Sequence, residues 1–359
     1  MRILTIVGAR PQFVKAAALS RVIAQNSQLD EIIVHTGQHY DPNMSEVFFK
    51  EMEIPQPVYN LNINSLNHGA MTGRMMEEIE KLILKEKPCL LLVYGDTNST
   101  IAGALAAKKL HVPVAHVEAG LRSYNMDMPE EVNRILCDRI SDYLFCPTST
   151  AIENLNKEGF QNFDCEIHHS GDVMQDAALY YAARSSQKSV ILEKLKISGP
   201  FALATVHRAE NTDDPLKLKS IVNALNTIHK EMPLVFPIHP RTKGILDSLK
   251  VRPEFELIDP VGYFDMIELL KHASIVLTDS GGLQKEAFFF SSPCVTLRDQ
   301  TEWVELVEGG YNQLAGANEA AIVDGFRSMI DANPDFSVNL YGQGKAAENI
   351  SQVLAASGK

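Results

Sequence analysis

Short apolar runs, each followed by a polar or glycine-rich loop and then by a helical pattern, recur along the whole chain. Residues 89–94 form a continuous apolar run, which is typical of a central parallel strand, and residues 95–99 then lead into a small-residue helix. The order of strand, loop and helix returns at least four times in the first half and again in the second. It predicts an α/β fold of doubly wound parallel sheets.

A chain of 359 residues is too long for one typical hydrophobic core, so we predict two domains. The first spans residues 1–180 and the second residues 181–340, while residues 341–359 form a helix that packs back toward the first domain. The chain crosses between the halves over residues 169–188, and the polar segment 185–196 is the candidate linker.

Composition excludes several classes of partner. The formal net charge of -12 argues against a nucleic-acid backbone, although a small anion needs only local positive charge. We expect no membrane span and no signal peptide, because apolar runs of about 18 residues are absent and a polar break interrupts the first dozen residues. Five scattered cysteines without a C-x-x-C pair favour reduced thiols in or near the core of a cytoplasmic protein, without a metal site.

A candidate anion site follows the apolar run that begins at Ile275. Ser280, Gly281 and Gly282 come directly after this strand and lead into a helix, so backbone N–H groups and the positive helix end would point at one place. Such a turn accepts a diphosphate, and Glu286, one turn further on, could reach ribose hydroxyls. An ordinary strand-to-helix turn has the same pattern, so this stretch alone does not decide between the two.

Charged residues cluster where strands of the first half end. A single carboxylate at a strand end is more often a cap or an ion-pair residue, but three carboxylates and two arginines on one edge are harder to assign to stability. Ligands of open α/β sheets bind at this edge. The charged positions at the strand ends and on the helices that follow them are Arg10, Lys15, Asp96, Glu118, Glu130 and Arg134.

The strand ends of the second half carry cations and a hydroxyl instead. A lone histidine at such a position is usually a packed residue, but cations recur from one strand end to the next and therefore favour an anionic ligand. Two domains that face each other across a cleft would enclose a sugar nucleotide. The positions concerned are His207, Arg208, His239, Arg241, Ser280 and Arg298.

Seven motifs run in order through nearly the whole chain and are jointly very specific. They are GARPQ at 8–12 with Lys15, TGQH at 36–39, GDTNS at 95–99, HVEAGLR at 116–122, PEEVNR at 129–134, HRAEN at 207–211 and DSGGLQKEA at 279–287. In these motifs the chain resembles the non-hydrolysing UDP-N-acetylglucosamine 2-epimerase family. The resemblance implies the GT-B architecture, in which two Rossmann-like domains enclose the active site and the second domain binds UDP. It also implies a homodimer that needs no nicotinamide or other cofactor.

The resemblance implies a reaction and roles for the matched positions. Members of this family invert C2 of the sugar by eliminating UDP to a 2-acetamidoglucal and then adding UDP back to the other face. Carboxylates would supply the acid/base chemistry, and a histidine would serve the leaving group: Asp96, Glu118, Glu130 and His207. Cations, the glycine turn and one further carboxylate would hold the UDP-sugar: Arg10, Lys15, Arg134, His239, Arg241, Ser280, Gly281, Gly282, Glu286 and Arg298. Which carboxylate is the acid and which the base stays open.

One turn departs from the main branch of the family. Where main-branch members have an arginine–proline–glutamate turn, this chain has RDQTEWVEL at 298–306. That form is similar to the branch that acts on UDP-2,3-diacetamido-2,3-dideoxy-glucuronate in bacterial O-antigen (lipopolysaccharide) synthesis. This sugar carries an extra C6 carboxylate, which Arg241 or Arg298 could bind bidentately. The branch predicts this substrate, and UDP-N-acetylglucosamine is the alternative.

The proposed reaction explains why both carboxylates and cations are needed. The C2 proton of the sugar is not acidic, and loss of UDP from C1 gives the oxocarbenium character that acidifies it. Three other functions remain as alternatives: a GT-B glycosyltransferase, a hydrolysing epimerase that releases free UDP, and a non-catalytic nucleotide-sugar sensor. The set of three carboxylates argues against the first and the third.

Overall fold

The computed structural model describes residues 1–38, 55–238 and 240–357. The chain divides into two compact units, and each contains one parallel sheet with helices packed on it. Unit 1 is Met1–Ala177 together with Asn339–Lys359, and unit 2 is Ala178–Val338. The predicted α/β fold is therefore confirmed. None of the helices in the described ranges is long and apolar enough to cross a membrane.

The sheet of unit 1 contains seven described strands in the order β3-β2-β1-β4-β5-β6-β7, all parallel. The strands are β1 (Arg2–Val7), β2 (Asp30–His35), β3 (Tyr59–Asn60), β4 (Leu90–Tyr94), β5 (Val114–Val117), β6 (Tyr143–Cys146) and β7 (Glu166–His169). The helices are α1 (Arg10–Ile23), α2 (His68–Glu86), α3 (Asn98–Lys109), α4 (Pro129–Ile140), α5 (Ser149–Lys157), the start of α6 (Val173–Lys188), and the last helix of the chain (Ala346–Ser357); Phe160–Asn162 is a 3₁₀ turn.

The sheet of unit 2 has six described strands in the order β10-β9-β8-β11-β12-β13, again all parallel. They are β8 (Ala202–Thr205), β9 (Leu234–Pro237), β10 (Glu256–Ile258), β11 (Ile275–Thr278), β12 (Cys294–Thr296) and β13 (Asn312–Leu314). The helices are α7 (Ile191–Lys194), α8 (Ala209–Thr212), α9 (Pro215–Glu231), α10 (Pro240–Leu249), α11 (Tyr263–His272), α12 (Gly281–Phe289), α13 (Val304–Glu308) and α14 (Glu319–Ala332). The last helix of the chain, in unit 1, is α15.

The central strands are mostly apolar because helices cover both faces of each sheet. All five residues of β4 are buried, and so are all four of β8 and of β11. In unit 1, Leu91 and Val93 of β4 share one apolar core with the stripe of α2 formed by Met75, Ile79 and Ile83. This burial is the main source of stability in each unit, at roughly 25 cal/mol per Å² of apolar surface.

The strand order reverses once in each sheet, and these switch points locate the binding edges. In unit 1 the reversal lies between β1 and β4, and in unit 2 it lies between β8 and β11. Helices leave such neighbouring strands on opposite faces, which opens a crevice at the C-terminal strand ends where ligands bind. Most of the predicted site residues follow these strands or the strands beside them.

Several details differ from the prediction. The expected linker at 185–196 is wrong, because α6 continues to Lys188 and α7 follows at once; the boundary between the units falls inside α6, between Ala177 and Ala178. Cys89 is exposed rather than near the core. The short strands β3 and β13 were not predicted, since runs of two or three residues are too short to show a periodic pattern.

The chain returns to unit 1 after Val338, and two glycines make that return possible. Gly171 (φ +84°) and Gly342 (φ +93°) place their backbones so close that a Cβ on Gly171 would lie 2.8 Å from the carbonyl oxygen of Tyr341. The following helix α15 buries Ile350 and Leu354 and packs against α1. Its first turn is capped by Asp176, whose carboxylate accepts from the N–H groups of Ala346 (3.2 Å) and Ala347 (2.7 Å).

The Asp176 cap should weaken unit 1 as the pH rises. Burial raises the pKa of this carboxyl from 3.8 to about 6, although the two backbone hydrogen bonds lower it. Between these values the folded state holds a proton that the unfolded state has lost, so stability falls as the pH rises through this window. Relative to Asp176→Asn, we expect the wild type to lose about 2 kcal/mol of unfolding free energy between about pH 4.5 and about pH 7.5. Urea denaturation of both proteins at each pH measures this, and a constant difference would contradict it.

Candidate active site

The turn between β1 and α1 is fixed by the buried side chain of Gln12. Its Oε1 accepts from the backbone N–H groups of Gly8 (2.8 Å) and Ala9 (3.0 Å), and its Nε2 donates to the carbonyl oxygen of Tyr94 (2.8 Å). Since Tyr94 ends β4, one amide group ties together the two strand ends at the switch point of unit 1. Arg10, predicted to bind the diphosphate, is the first residue of α1 at this place.

Lys15 and Glu118 form a nearly buried ion pair next to Gly95. Lys15 Nζ donates to Glu118 Oε2, and each side chain is only 9% exposed. Glu118 directly follows β5 with φ +74°, and Gly95 directly follows β4 with φ +60°. A Cβ on Gly95 would lie 3.2 Å from both the Glu118 carboxylate and the Lys15 ammonium. A non-glycine residue with positive φ costs energy, and such residues concentrate at functional sites.

Arg134 on α4 joins the carboxylate of Asp96, which follows β4, to that of Glu131 on its own helix. It donates to Asp96 Oδ2 through Nη2, and its Nη1 donates to Glu131 Oε2 at 2.6 Å. Asn133 on the same helix donates to the carbonyl oxygen of Asp96 at 2.9 Å. The Asp96 side chain keeps 27% of its surface exposed, so α4 holds the backbone and the charge of Asp96 while leaving the carboxylate accessible.

Glu131 is a buried anchor that the sequence motifs did not single out. Its carboxylate accepts from the N–H groups of Ser123 (3.0 Å) and Tyr124 (2.8 Å) as well as from Arg134. Burial works to raise its pKa, but these hydrogen bonds and the Arg134 charge hold the pKa below its usual value. Glu130, predicted to be catalytic, is exposed in the first turn of α4. The three-residue spacing of Glu131 and Arg134, which places them on one helix face, could have identified the pair.

A second buried network lies behind these groups and also escaped sequence reasoning. His116 on β5 has Nδ1 2.7 Å from Asp138 Oδ1 and Nε2 2.7 Å from the carbonyl oxygen of Gly95. Asp138 Oδ2 accepts from the N–H of Gly120 (3.0 Å) and from Arg122 (2.7 Å). Arg122 continues the network to Glu158 with bonds of 2.7 and 2.8 Å. The network connects β5, α4 and the turn after β4.

In unit 2, the buried carboxylate of Asp279 organises the switch point. It follows β11 and accepts from the backbone N–H groups of His207 (3.1 Å) and Arg208 (3.0 Å) and from Asn211 Nδ2 (3.1 Å). The Nδ1 atom of His207 lies 3.4 Å from the same carboxylate, while half of the His207 side chain is exposed. Asp279 thus fixes the loop after β8 and leaves the imidazole accessible.

The predicted anion turn is the N-terminus of α12. Ser280 is its N-cap and accepts from the N–H of Leu283 at 3.4 Å, and Gly281 and Gly282 form the first turn. The first N–H groups of a helix have no intrahelical acceptors, so this turn presents donors and a positive dipole end to an anion. Glu286, one turn further, is largely buried and accepts a hydrogen bond from the Tyr263 hydroxyl at 3.2 Å.

The turn RDQTEWVEL at 298–306 packs behind α12. Trp303 is buried, and the ammonium of the buried Lys285 lies 3.9 Å from the centre of its ring, a cation–π contact. A Cβ on Gly281 would lie 2.3 Å from Glu302 Oε1, so the glycine lets α12 approach this turn. Arg298 donates to Glu302 at 3.0 Å, and its side chain is 2% exposed.

Two of the predicted arginines have different environments. Arg298 lines a small pocket whose other walls include Asn211, Lys217 and Gln300. Arg241 on α10 is half exposed and pairs with the exposed Asp213. His239, also predicted to bind the substrate, lies outside the described residues, as does His39. Within the described ranges, His, Cys, Asp and Glu side chains form no group of three or more that could hold a metal ion.

These contacts give each unit its own chemical capacity. The binding edge of unit 1 offers a carboxylate held by a lysine and another held by an arginine. The edge of unit 2 offers a helix N-terminus, an accessible imidazole and a buried carboxylate next to a tyrosine hydroxyl. Together they suit acid/base chemistry and the binding of a nucleoside diphosphate.

Two parallel sheets with these groups at their switch points define an enzyme of the GT-B fold class. The sequence profile of the UDP-N-acetylglucosamine 2-epimerase family matches residues 21–355, so this chain belongs to that family of epimerases.

The relatives match over almost the entire chain. A Pseudomonas aeruginosa protein named UDP-2,3-diacetamido-2,3-dideoxy-D-glucuronate 2-epimerase is 57% identical over 99% of both chains. The structure of UDP-GlcNAc 2-epimerase from Methanocaldococcus jannaschii in complex with UDP-GlcNAc and UDP is 41% identical, with a TM-score of 0.91 over 99% of this chain and 100% of that one. The UDP-GlcNAc 2-epimerase from Neisseria meningitidis bound to UDP-GlcNAc is 28% identical, with a TM-score of 0.90 and the same coverage. The predicted family and the GT-B fold are confirmed.

Proposed function

We propose that this protein inverts C2 of UDP-2,3-diacetamido-2,3-dideoxy-D-glucuronate by eliminating UDP and adding it back. The acid/base chemistry is supported by two ion pairs at one switch point, Lys15–Glu118 and, beside it, Asp96–Arg134. The observation that favours this substrate is the 57% identity to the P. aeruginosa epimerase that carries its name. UDP-N-acetylglucosamine is the second candidate, because solved relatives of similar fold contain it.

The reaction balances without an oxidant or a reductant. A base removes the C2 proton, the C1–O bond to the diphosphate breaks, and the electron pair of the C–H bond becomes the C1=C2 double bond of the glycal. The reverse steps add UDP to C1 and a proton to the opposite face of C2. Charge therefore develops at the diphosphate oxygen and must be stabilised there.

The ion pairs suggest which carboxylate removes the C2 proton and which returns one. A neighbouring cation favours the ionised form of a carboxyl group, so Lys15 keeps Glu118 ready to accept a proton. Asp96 pairs with Arg134, and its side chain is the more exposed of the two carboxylates. We assign Glu118 as the base for C2 and place Asp96 and Glu130 on the side that returns a proton.

UDP would bind mainly to unit 2. The α12 N-terminus with Ser280, Gly281 and Gly282 would receive the diphosphate, aided by Arg10 and Lys15 from unit 1. Glu286 would accept from the ribose hydroxyls, and His207 would stabilise the leaving diphosphate.

For the C6 carboxylate of the sugar, Arg241 is the better of the two predicted arginines. Its ion pair with Asp213 is exposed, and such pairs contribute about 0 to 1 kcal/mol, so exchange for a substrate carboxylate costs little. Arg298 is buried against Glu302 and lies 3.6 Å from Glu210, which favours a structural part for it in the pocket wall. We further propose that the protein acts as a homodimer in the cytoplasm, where sedimentation and cell fractionation can test it.

Turnover of the two UDP-sugars in deuterated buffer tests the proposal. We expect deuterium at C2 of UDP-2,3-diacetamido-2,3-dideoxy-D-glucuronate and of its epimer, with a kcat/KM about a hundredfold above that for UDP-N-acetylglucosamine, because a site built for a charged group rejects the analogue without it. Mass spectrometry of the UDP-sugars measures the deuterium at C2 and the rate of turnover. Chromatography measures any UDP that is released. A preference for UDP-N-acetylglucosamine would reassign the substrate, stoichiometric release of UDP would indicate hydrolysis, and failure to exchange C2 in either sugar would refute an epimerase.

A further inference from the structure

His116 is fully buried on β5 and has a hydrogen-bond acceptor at each ring nitrogen. The carboxylate oxygen of Asp138 and the carbonyl oxygen of Gly95 both lie 2.7 Å away. A neutral imidazole carries one N–H and one lone pair, so it would set a lone pair against one of these oxygens. The imidazolium has an N–H group on each ring nitrogen and can donate to both oxygens, so the protonated ring fits the two contacts.

The surroundings of the ring favour the same charge state. Asp138 accepts two further N–H donors on its other oxygen, from Gly120 and Arg122, which keeps it a carboxylate. The charged groups of the network are then Asp138, Glu158, Arg122 and His116, and their charges cancel only if His116 is protonated. Burial works to lower the pKa of His116, but Cys137 and Asp138 on α4 raise it well above its usual value.

The Gly95 carbonyl is the point where this network meets the binding edge. Gly95 lies between β4 and Asp96, and its Cα faces the Lys15–Glu118 pair, with a notional Cβ 3.2 Å from both charged groups. Its φ of +60° is reached without strain only by glycine, so the chain needs other contacts to hold this one conformation. Asp96 and Glu118 therefore depend on the orientation of the Gly95 peptide group.

We propose that His116 is a positioning residue of the epimerisation: as an imidazolium clamped by Asp138, it donates to the Gly95 carbonyl and so sets the Asp96 turn against the Lys15–Glu118 pair. It does not touch the sugar. The proposal rests on the proposed function, because it assumes that Asp96 and Glu118 act on C2.

Two substitutions separate the bond to Gly95 from the bond to Asp138. An asparagine amide reaches about as far as Nδ1 and can keep the contact with Asp138 while losing the donor to Gly95. A glutamine amide reaches about as far as Nε2 and can keep the donor to Gly95. We expect His116→Asn to lower kcat about a hundredfold with KM within about twofold, as for a catalytic group displaced by about 1 Å, and His116→Gln to stay within about tenfold of wild type.

Glu158→Gln is the matched control. It weakens the outer end of the same network, next to Arg122, and leaves the Gly95 bond in place. We expect it to lower the melting temperature as the His116 variants do, but to leave kcat unchanged. If kcat falls in all three variants in step with the melting temperature, or if the Asn and Gln variants have equal kcat, the positioning role is overturned.

The charge state can be read independently of activity. The NMR spectrum of protein that contains ¹⁵N-labelled histidine should show both ring nitrogens of His116 protonated at about pH 8, where an ordinary histidine is neutral. A single protonated ring nitrogen would overturn the proposal even if the variants lose activity. Wild-type protein that fails to exchange C2 of both UDP-sugars would refute the proposed function instead, whatever the spectrum shows.

Discussion

Replacing Glu118 by glutamine is expected to lower kcat about a hundredfold or more, as for the loss of an acid/base group. Glutamine has nearly the same shape, and its carbonyl oxygen can still accept from Lys15, so the strained turn after β5 and the fold should persist. What disappears is the carboxylate that Lys15 keeps ionised. Since substrate binding is assigned mainly to other groups, KM should change by no more than about threefold.

The measurement is the steady-state rate of epimerisation together with the rate of C2 deuterium exchange. Both should fall together if Glu118 removes the C2 proton. Glu77→Gln serves as a control, because it removes one exposed carboxylate from α2 without touching the site. A Glu118→Gln enzyme that retains more than about a tenth of the wild-type rate would show that another group is the base.

Asp279→Asn is expected to have the second large effect, through a different physical route. The buried carboxylate accepts from His207, Arg208 and Asn211, and an asparagine would turn an NH₂ group toward some of these donors. Leaving buried donors unpaired costs on the order of 1 to 3 kcal/mol, and more where a charge was the acceptor. The loop after β8 should then lose its single conformation, so the melting temperature falls by several degrees.

Activity should suffer more than stability in this variant. His207 lies on the loop that Asp279 holds, and it is the residue assigned to stabilise the leaving diphosphate. Its displacement should lower kcat/KM by about a hundredfold. Asp331→Asn, which changes an exposed aspartate on α14, is the matched control and should behave as wild type. Unchanged kcat/KM in Asp279→Asn, despite a lower melting temperature, would remove His207 from the proposed chemistry.

The position of the binding edge could be predicted from the sequence, because parallel strands bring all of their C-terminal ends to one edge. Asp96 follows β4 and Glu118 follows β5, and these strands pair directly. The N-terminal turn of α12 was predictable because Ser280 and two glycines directly after a buried strand are typical of a tight strand-to-helix turn.

The partners of these residues could not be predicted in the same way. His116 and Asp138 matter because their partners come from elements distant in sequence, and periodicity gives only the face on which a residue lies. In PEEVNR, both glutamates stand in the first turn of a helix, yet Glu131 is buried and Glu130 is exposed. The last turn of α6, residues 185–188, shows a similar limit. A polar composition indicates exposure to solvent and does not by itself end a helix.

The return of the chain through Gly171 and Gly342 makes the first unit discontinuous, and this affects how it can be synthesised. On the ribosome, residues 1–177 emerge long before α15, which covers α1 with Ile350 and Leu354. The N-terminal unit must therefore wait for the last residues of the chain to complete its core, whereas the C-terminal unit is contiguous and can fold first. Deletion of the last 21 residues, 339–359, should accordingly destabilise the opposite end of the polypeptide.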